Sequence, residues 1–263
     1  MINEIAAVIA DALHIAALLY LLFRSARLLR GERRTLPLAF FVFAIVSLLL
    51  SDCYWLTYNL LRPGTRMPIA ANEIGEAAAI LLLTSALNGA LADVFVDTRR
   101  EAFFTGLFCV ASIALWIAWS GEWLQDILGG IAYAWFYLSA VRGLKSTAAL
   151  SQREWIVLGL DAGLLIIAQT AMFFVQSPWH GALDLFSYAL MLMGCALFFL
   201  RMRREKRGEA RPKTLMALSF ASLAWTMSSM FMSEEPWYFL FYLCSMVCWL
   251  LMGRSIRREV ETA

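Results

Sequence analysis

The chain has 263 residues, of which 61% are hydrophobic and 16% are charged. A soluble domain usually carries about 25% charged residues, so this composition excludes an ordinary soluble globular protein. The net charge of +2 gives no support to nucleic-acid binding. The hydrophobic residues form continuous blocks of about 20, the length of an α-helix that crosses the hydrocarbon core of a bilayer. We therefore predict an all-α integral membrane protein, a bundle of about nine transmembrane helices.

Nine blocks predict nine transmembrane helices in a single membrane domain covering residues 1–263, with no soluble domain. In chain order, the predicted helices cover residues 5–23, 36–60, 72–91, 102–120, 125–145, 155–176, 183–201, 214–232 and 237–253. The connections are short, so helices two to nine should pair into four hairpins. Tryptophan prefers the membrane–water interface, and tryptophans lie near three hairpin tips, at positions Trp119, Trp123, Trp179 and Trp237.

The basic residues indicate how these helices are oriented. If the N-terminus is outside, 20 of the 22 lysines and arginines fall in cytoplasmic segments, and only Arg62 and Arg66 do not. Cytoplasmic loops carry an excess of lysine and arginine, so we predict an outside N-terminus and a cytoplasmic C-terminus. We expect a multi-pass protein of a cell membrane, either a bacterial inner membrane or a plasma membrane. Its expected partner is the lipid bilayer.

Ionisable side chains inside the hydrocarbon are costly, which makes them functional candidates. In the first helix, Asp11 and His14 lie three residues apart on one face, where a carboxylate beside an imidazole can carry protons or bind a cation. The alternative is a mutual hydrogen bond that only neutralises both groups. In the second helix, Asp52 lies roughly 12 Å from the outer end on a polar side with Ser51 and Tyr58. It is expected to line a cavity or polar helix interface, or to pair with an arginine or tyrosine.

The third helix begins with two acids three residues apart, Glu73 and Glu76. Asn72 is the predicted N-cap, and first-turn acids are stabilised by the exposed amides and the helix dipole. This structural explanation suits Glu73 better than Glu76, which lies one turn deeper. Arg66, in the preceding turn, is expected either to pair with these acids or to contact an anionic group. Gly75 allows the close approach of another backbone.

Two later features are weaker candidates. Asp161 is placed in the inner half of the sixth helix, with Gln169 two turns further on. In the eighth helix, small hydroxyl residues recur every three or four positions, which favours close helix packing over the lining of a pore. These hydroxyl residues are Ser219, Ser222, Thr226, Ser229 and Ser233.

No motif predicts a cofactor. Gly-rich phosphate loops, His-Glu zinc motifs and nucleophile elbows are absent from the sequence. The two histidines make haem or zinc chemistry improbable, and the five cysteines are expected to be small buried residues. We predict no cofactor and no metal.

Three functional hypotheses follow. The first is a small transporter or receptor-like protein with an outward-facing acidic polar cavity between helices one, two, three and seven, for a cationic ligand or protons; Asp184 would contribute from helix seven. The second is an intramembrane enzyme that uses Asp52 and Glu76 as general acid and base. The third is a membrane subunit that signals or assembles through a protein partner. A protein that is not an enzyme is the preferred interpretation.

Overall fold

The computed structural model describes residues 2–30, 35–61, 71–207, 211–234 and 236–262. Within these ranges the chain forms nine α-helices and no strand. The helices are α1 (Ile2–Leu29), α2 (Leu36–Leu61), α3 (Ala71–Ala90), α4 (Arg99–Ser120), α5 (Trp123–Ser146), α6 (Gln152–Ala171), α7 (Trp179–Arg207), α8 (Pro212–Phe231) and α9 (Trp237–Thr262). The all-helical prediction is confirmed, and each predicted helix has a counterpart.

Eight of these helices are long and apolar enough to cross a membrane, and α3 is the exception. Its 20 residues span about 30 Å at 1.5 Å per residue, so its length is sufficient. Its polar residues lower its hydropathy, and several of them contact other helices rather than lipid. Asn88 Nδ2, for example, donates a hydrogen bond to Ser139 Oγ of α5 at 3.1 Å. The position of α3 therefore depends on its neighbours α2 and α5.

Three helices are longer than hydropathy predicts. α1 ends at Leu29 rather than near residue 23, α7 at Arg207 rather than near 201, and α9 at Thr262 rather than near 253. Hydropathy marks the segment inside hydrocarbon, whereas a helix continues as long as its backbone hydrogen bonds do. Basic side chains suit such extensions because their stems cover apolar groups; the Arg27 guanidinium lies 4.1 Å from the centre of the Phe23 ring.

Local signals explain other helix ends. α4 stops at Gly121, which has a φ of 74° and donates its N–H to Ile117 O, a backbone conformation that glycine adopts without strain. α6 begins at a capping box in which Ser151 and Glu154 satisfy each other's backbone amides. α6 is shorter than predicted and ends at Ala171, because the chain turns at residues 172–174.

The helices form a closed series of contacts, in which α8 is the most buried of the eight apolar helices. Each packs against the next in the order α1, α2, α3, α5, α4, α6, α7, α8, α9, and α9 packs on α1. The four predicted hairpins, α2–α3, α4–α5, α6–α7 and α8–α9, are all formed by contacting helices. α8 also contacts α3 and α5, and 83% of its apolar span is buried. The protein core is thus centred on α8.

The hydroxyl stripe of α8 packs against α9. Ser219 Oγ lies 3.1 Å from Ser255 Oγ, and Ser222 Oγ lies 3.2 Å from Cys248 Sγ. All four side chains are buried, so this part of the stripe satisfies its polar atoms at the interface of α8 and α9, whereas Ser229 and Ser233 donate to the carbonyls of Trp225 and Ser229. This supports helix packing rather than the lining of a pore.

Helices that are consecutive in the chain run in opposite directions, which gives the bundle two distinct ends. We call the end where α1, α3, α5, α7 and α9 begin the acidic end, and the opposite end the basic end. At the basic end, ion pairs join separate segments of the chain. Lys213 Nζ of α8 lies 2.5 Å from Asp93 Oδ2, in the turn after α3, and Lys145 Nζ of α5 lies 2.7 Å from Glu101 Oε1 of α4. The hydrogen bond from Lys213 holds the pKa of Asp93 below its ordinary value.

Candidate functional site

Packing of α1 against α2 brings His14 and Asp52 together. The two helices are antiparallel, and each residue lies about 15 positions from the connection between them, so both reach the same depth. His14 Nδ1 lies 2.7 Å from Asp52 Oδ2, and the residues are 3% and 8% exposed. The carboxylate lies off the N–H direction, since Asp52 Oδ2 accepts no well-aligned hydrogen bond from any described residue. The contact is therefore electrostatic rather than a well-formed hydrogen bond.

Tyr242 of α9 completes this contact. Its hydroxyl lies 3.0 Å from His14 Nδ1 and donates a long hydrogen bond of 3.5 Å to Asp11 Oδ1. The two rings meet edge to face, with their centroids 4.9 Å apart. We call Asp11, His14, Asp52 and Tyr242 the His14 cluster. Three helices, α1, α2 and α9, thus hold two carboxyls and a phenol around one imidazole.

The opposite ring nitrogen has no such partner. His14 Nε2 is buried and makes no hydrogen bond with any described residue. A buried polar atom without a partner costs free energy, and in native structures it often marks a functional position. The imidazole is therefore contacted on Nδ1 and unsatisfied on Nε2.

A second polar network lies beside the first, where α2 meets α3. Ser51 Oγ donates to Asn72 O at 2.8 Å and lies 3.3 Å from Glu76 Oε1, which also accepts from Asn72 Nδ2 at 3.3 Å. We call Ser51, Asn72 and Glu76 the Glu76 network. Gly75 permits this contact, because a Cβ there would lie 3.1 Å from Ser51 Cβ and 3.2 Å from Ser47 O.

The prediction that Asn72 caps α3 is wrong. The helix begins at Ala71, so Asn72 lies inside its first turn, and its amide binds the side chain of Glu76 instead. Glu73 is half-buried and close enough to Glu76 to repel it electrostatically. Glu76, for which the capping explanation was weaker, is thus held by contacts to α2.

The two networks are adjacent because Ser51 and Asp52 are consecutive residues. Tyr242 lies within electrostatic range of Asp11, Asp52 and Glu76, so all three carboxyls share one neighbourhood. No direct hydrogen bond joins Asp52 to Glu76, whose partners belong to different networks. The arrangement therefore differs from a pair of carboxyls that share one proton.

Several predicted site residues lie elsewhere. The third helix of the His14 cluster is α9, whereas the predicted α7 packs on α6 and α8. Asp184 of α7 instead interacts with Tyr188 of the same helix. Tyr58 stacks on Trp55 with ring centroids 6.1 Å apart. Arg66 lies outside the described residues.

Asp161 forms a separate buried site. It is the tenth residue of the 20 in α6, which places it near the middle of that helix, at the limit of the half that begins at the basic end. It is 2% exposed, and its Oδ1 has no hydrogen-bond partner among the described residues. α6 packs on α7 and α4, so Asp161 is not part of the His14 cluster.

These observations define the class of protein. Eight membrane-length apolar helices, packed with their buried polar groups facing one another, identify a multi-pass α-helical membrane protein. No protein-family model, curated protein or solved structure matches the chain.

Proposed function

We propose that the His14 cluster is a proton-binding site and that the chain is a small proton-coupled transporter or a receptor-like protein that responds to protons. The observation that carries this proposal is the 2.7 Å contact between buried His14 and Asp52, with Tyr242 at 3.0 Å from the same ring nitrogen. These groups already touch, so a proton is the ligand that needs no additional space. Histidine is also the side chain whose charge changes most readily near neutral pH.

Protonation would occur at His14 Nε2. With Nδ1 protonated in the neutral ring, Nε2 is the remaining basic atom, and it has no hydrogen-bond partner among the described residues. The resulting imidazolium is stabilised by Asp52 on one side, while the new Nε2–H requires a hydrogen-bond acceptor that no described residue provides. Proton binding therefore favours a rearrangement of α1 relative to its neighbours. A two-state element of this kind is what a transporter or a sensor needs.

The direction of access follows from the charge distribution. The basic end carries most of the arginines and lysines, and positive residues favour the cytoplasmic side. The acidic end, with the His14 cluster, would then face the exterior, and the site would respond to external pH. Exposed Trp123 and Trp179, at 61% and 70% exposure, suit the interface at that end.

The test uses the fact that the chain contains only two histidines, His14 and His180. Protein labelled with ¹⁵N-histidine and reconstituted in lipid gives two sets of ring signals, which His180→Gln assigns. We expect the His14 signals to change reversibly with pH, and this change to be altered in Asp52→Asn. Asp126→Asn is the matched control, because Asp126 also lies at the acidic end but bonds Ser120. A His14 signal that is insensitive to pH, or equally altered in both variants, would contradict the proposal.

A second measurement separates proton binding from coupled movement. On a solid-supported membrane, a rapid pH change should produce a transient charge displacement from wild-type proteoliposomes. We expect that current to fall at least tenfold in His14→Gln and to persist in Asp126→Asn. A pH-sensitive His14 signal without any transient current would support proton binding at this site and refute the proposal of a proton-coupled transporter.

A further inference from the structure

The basic end contains a cavity that the proposed proton site does not use. It has a volume of about 540 Å³, within the range of about 300–1,000 Å³ that is common for small-molecule sites. Its lining comes from the turn after α5, the last turns of α7 and the start of α8. The lining residues are Thr147, Ala148, Arg201, Arg204, Glu205, Arg211 and Thr214.

The charges of this cavity favour an anion. Three arginines and one glutamate line it, and Glu205 Oε2 lies 3.8 Å from Arg201 Nη2. Arg204 Nη1 lies 3.9 Å from Glu154 Oε1. Both distances exceed hydrogen-bond length, so these acids reduce the positive charge without occupying the donor atoms of the guanidinium groups.

The arginines are positioned but retain free donors. Arg201 Nε donates to Ala149 O at 2.6 Å, which fixes the guanidinium at the cavity wall. The side chain of Arg204 is 71% exposed and makes no hydrogen bond with any described residue. Each guanidinium carries five N–H donors in a planar fork that matches two oxygens of a phosphate.

The start of α8 adds to the same preference. Arg211 occupies the N-cap position without capping the helix through its side chain, and the first turn carries no acid. Backbone amides and the helix dipole at such an N-terminus attract negative charge. These amides lie at the same cavity as the three arginines, so the start of α8 and the arginine side chains both favour an anion.

We propose that this cavity binds a phosphate group that carries a polar substituent. The volume exceeds that of a bare phosphate, and the position at the basic end coincides with the level of lipid headgroups if that end lies at the membrane surface. The phosphate therefore belongs either to an anionic phospholipid or to a soluble phosphate ester. Both sources present the same oxygens to the arginines, and binding measurements distinguish them.

The test compares two adjacent arginines of α7. Arg204 lines the cavity, whereas Arg203 is exposed and does not, so Arg204→Gln and Arg203→Gln remove the same charge from the same helix turn. The full chain in a neutral detergent is titrated with dioctanoyl phosphatidylglycerol, dioctanoyl phosphatidylcholine and glycerol 3-phosphate. Adducts are counted by native mass spectrometry, and thermal unfolding shows that each variant remains folded.

We expect wild-type and Arg203→Gln protein to bind phosphatidylglycerol at least tenfold more tightly than Arg204→Gln does. Phosphatidylcholine should bind weakly, since its choline group adds a positive charge. Preferential binding of glycerol 3-phosphate, lost in the same variant, would assign the site to a soluble phosphate ester. Binding of neither anion, equal binding of phosphatidylcholine, or equal losses in the two variants would overturn the proposal.

Discussion

Replacing Gly194 with alanine should destabilise the centre of the bundle. A Cβ at Gly194 of α7 would lie 2.2 Å from Cε2 and 2.4 Å from Nε1 of Trp225 in α8, whereas carbon atoms in contact are about 3.5–4.0 Å apart. The indole is 1% exposed, and Nε1 donates to Met191 O at 2.9 Å. The ring must therefore move by more than about 1 Å, and it loses this hydrogen bond when it does.

Both effects raise the energy of the folded state. Overpacking of a core costs about 1–3 kcal/mol, and an unsatisfied buried N–H costs about 1–3 kcal/mol more. We expect Gly194→Ala to lower the free energy of unfolding by about 2–6 kcal/mol, measured as thermal unfolding in mild detergent. Gly163→Ala is the matched control, because a Cβ at Gly163 of α6 has no neighbour within 4 Å. Alanine there should change stability by less than about 1 kcal/mol.

A second substitution distinguishes a steric clash from other causes. Trp225→Phe shortens the ring at the position that the new methyl occupies, so Gly194→Ala with Trp225→Phe should recover part of the stability that the two single variants lose together. Equal unfolding temperatures for Gly194→Ala and Gly163→Ala would refute the argument. Strictly additive losses in the double variant would show that Trp225 is not the obstacle.

Two further predictions concern the ends of the bundle. Gly75→Ala should separate α2 from α3 by a few tenths of an ångström and alter the pH response of the His14 ¹⁵N signals, because its Cβ would press on Ser51; an unchanged response would contradict this. Asp93→Asn should unfold at a lower temperature than wild type at neutral pH. That difference should vanish as the pH falls through the lowered pKa of Asp93, because the protonated carboxyl no longer attracts Lys213. A difference that persists in acid, or that is unaffected by salt, would refute the ion pair.

The sequence predicts the helices well because one property, hydropathy, determines them. Blocks of about 20 apolar residues locate every helix to within a few residues at the end where the block is bounded by turns. The predicted helix ends are wrong where a helix continues through charged residues beyond its apolar block. Arg27 of α1 and Arg254 of α9 lie inside helices, although neither residue belongs to a hydropathy block.

The sequence predicts how far along its helix each site residue lies, but not which neighbouring helix its side chain faces. The sequence predicts Asp11 and His14 as a pair on one face of the first helix and Asp52 as a separate candidate, and the structure brings all three together. Tyr242 was missed, because it lies 228 positions from His14 and a tyrosine in an apolar helix resembles an interfacial residue. Asp184 was grouped with the site because its depth is similar. Short connections predict the hairpin partners, but sequence spacing gives no information on contacts between helices far apart in the chain, such as α1 and α9.

The pairing of α1 with α9 has a consequence for biogenesis. A translating ribosome delivers α1 to the membrane first and α9 last among these helices, yet Tyr242 of α9 contacts His14 of α1. The hydroxyl-rich α8, sequestered among its neighbours, gains its α9 partner at the same late stage. His14 and Asp52 therefore lie in the bilayer without the Tyr242 hydroxyl until the ninth helix is inserted. Nascent chains that stall before α9 would leave this polar pair without Tyr242 inside the membrane, where unsatisfied ionisable groups are costly.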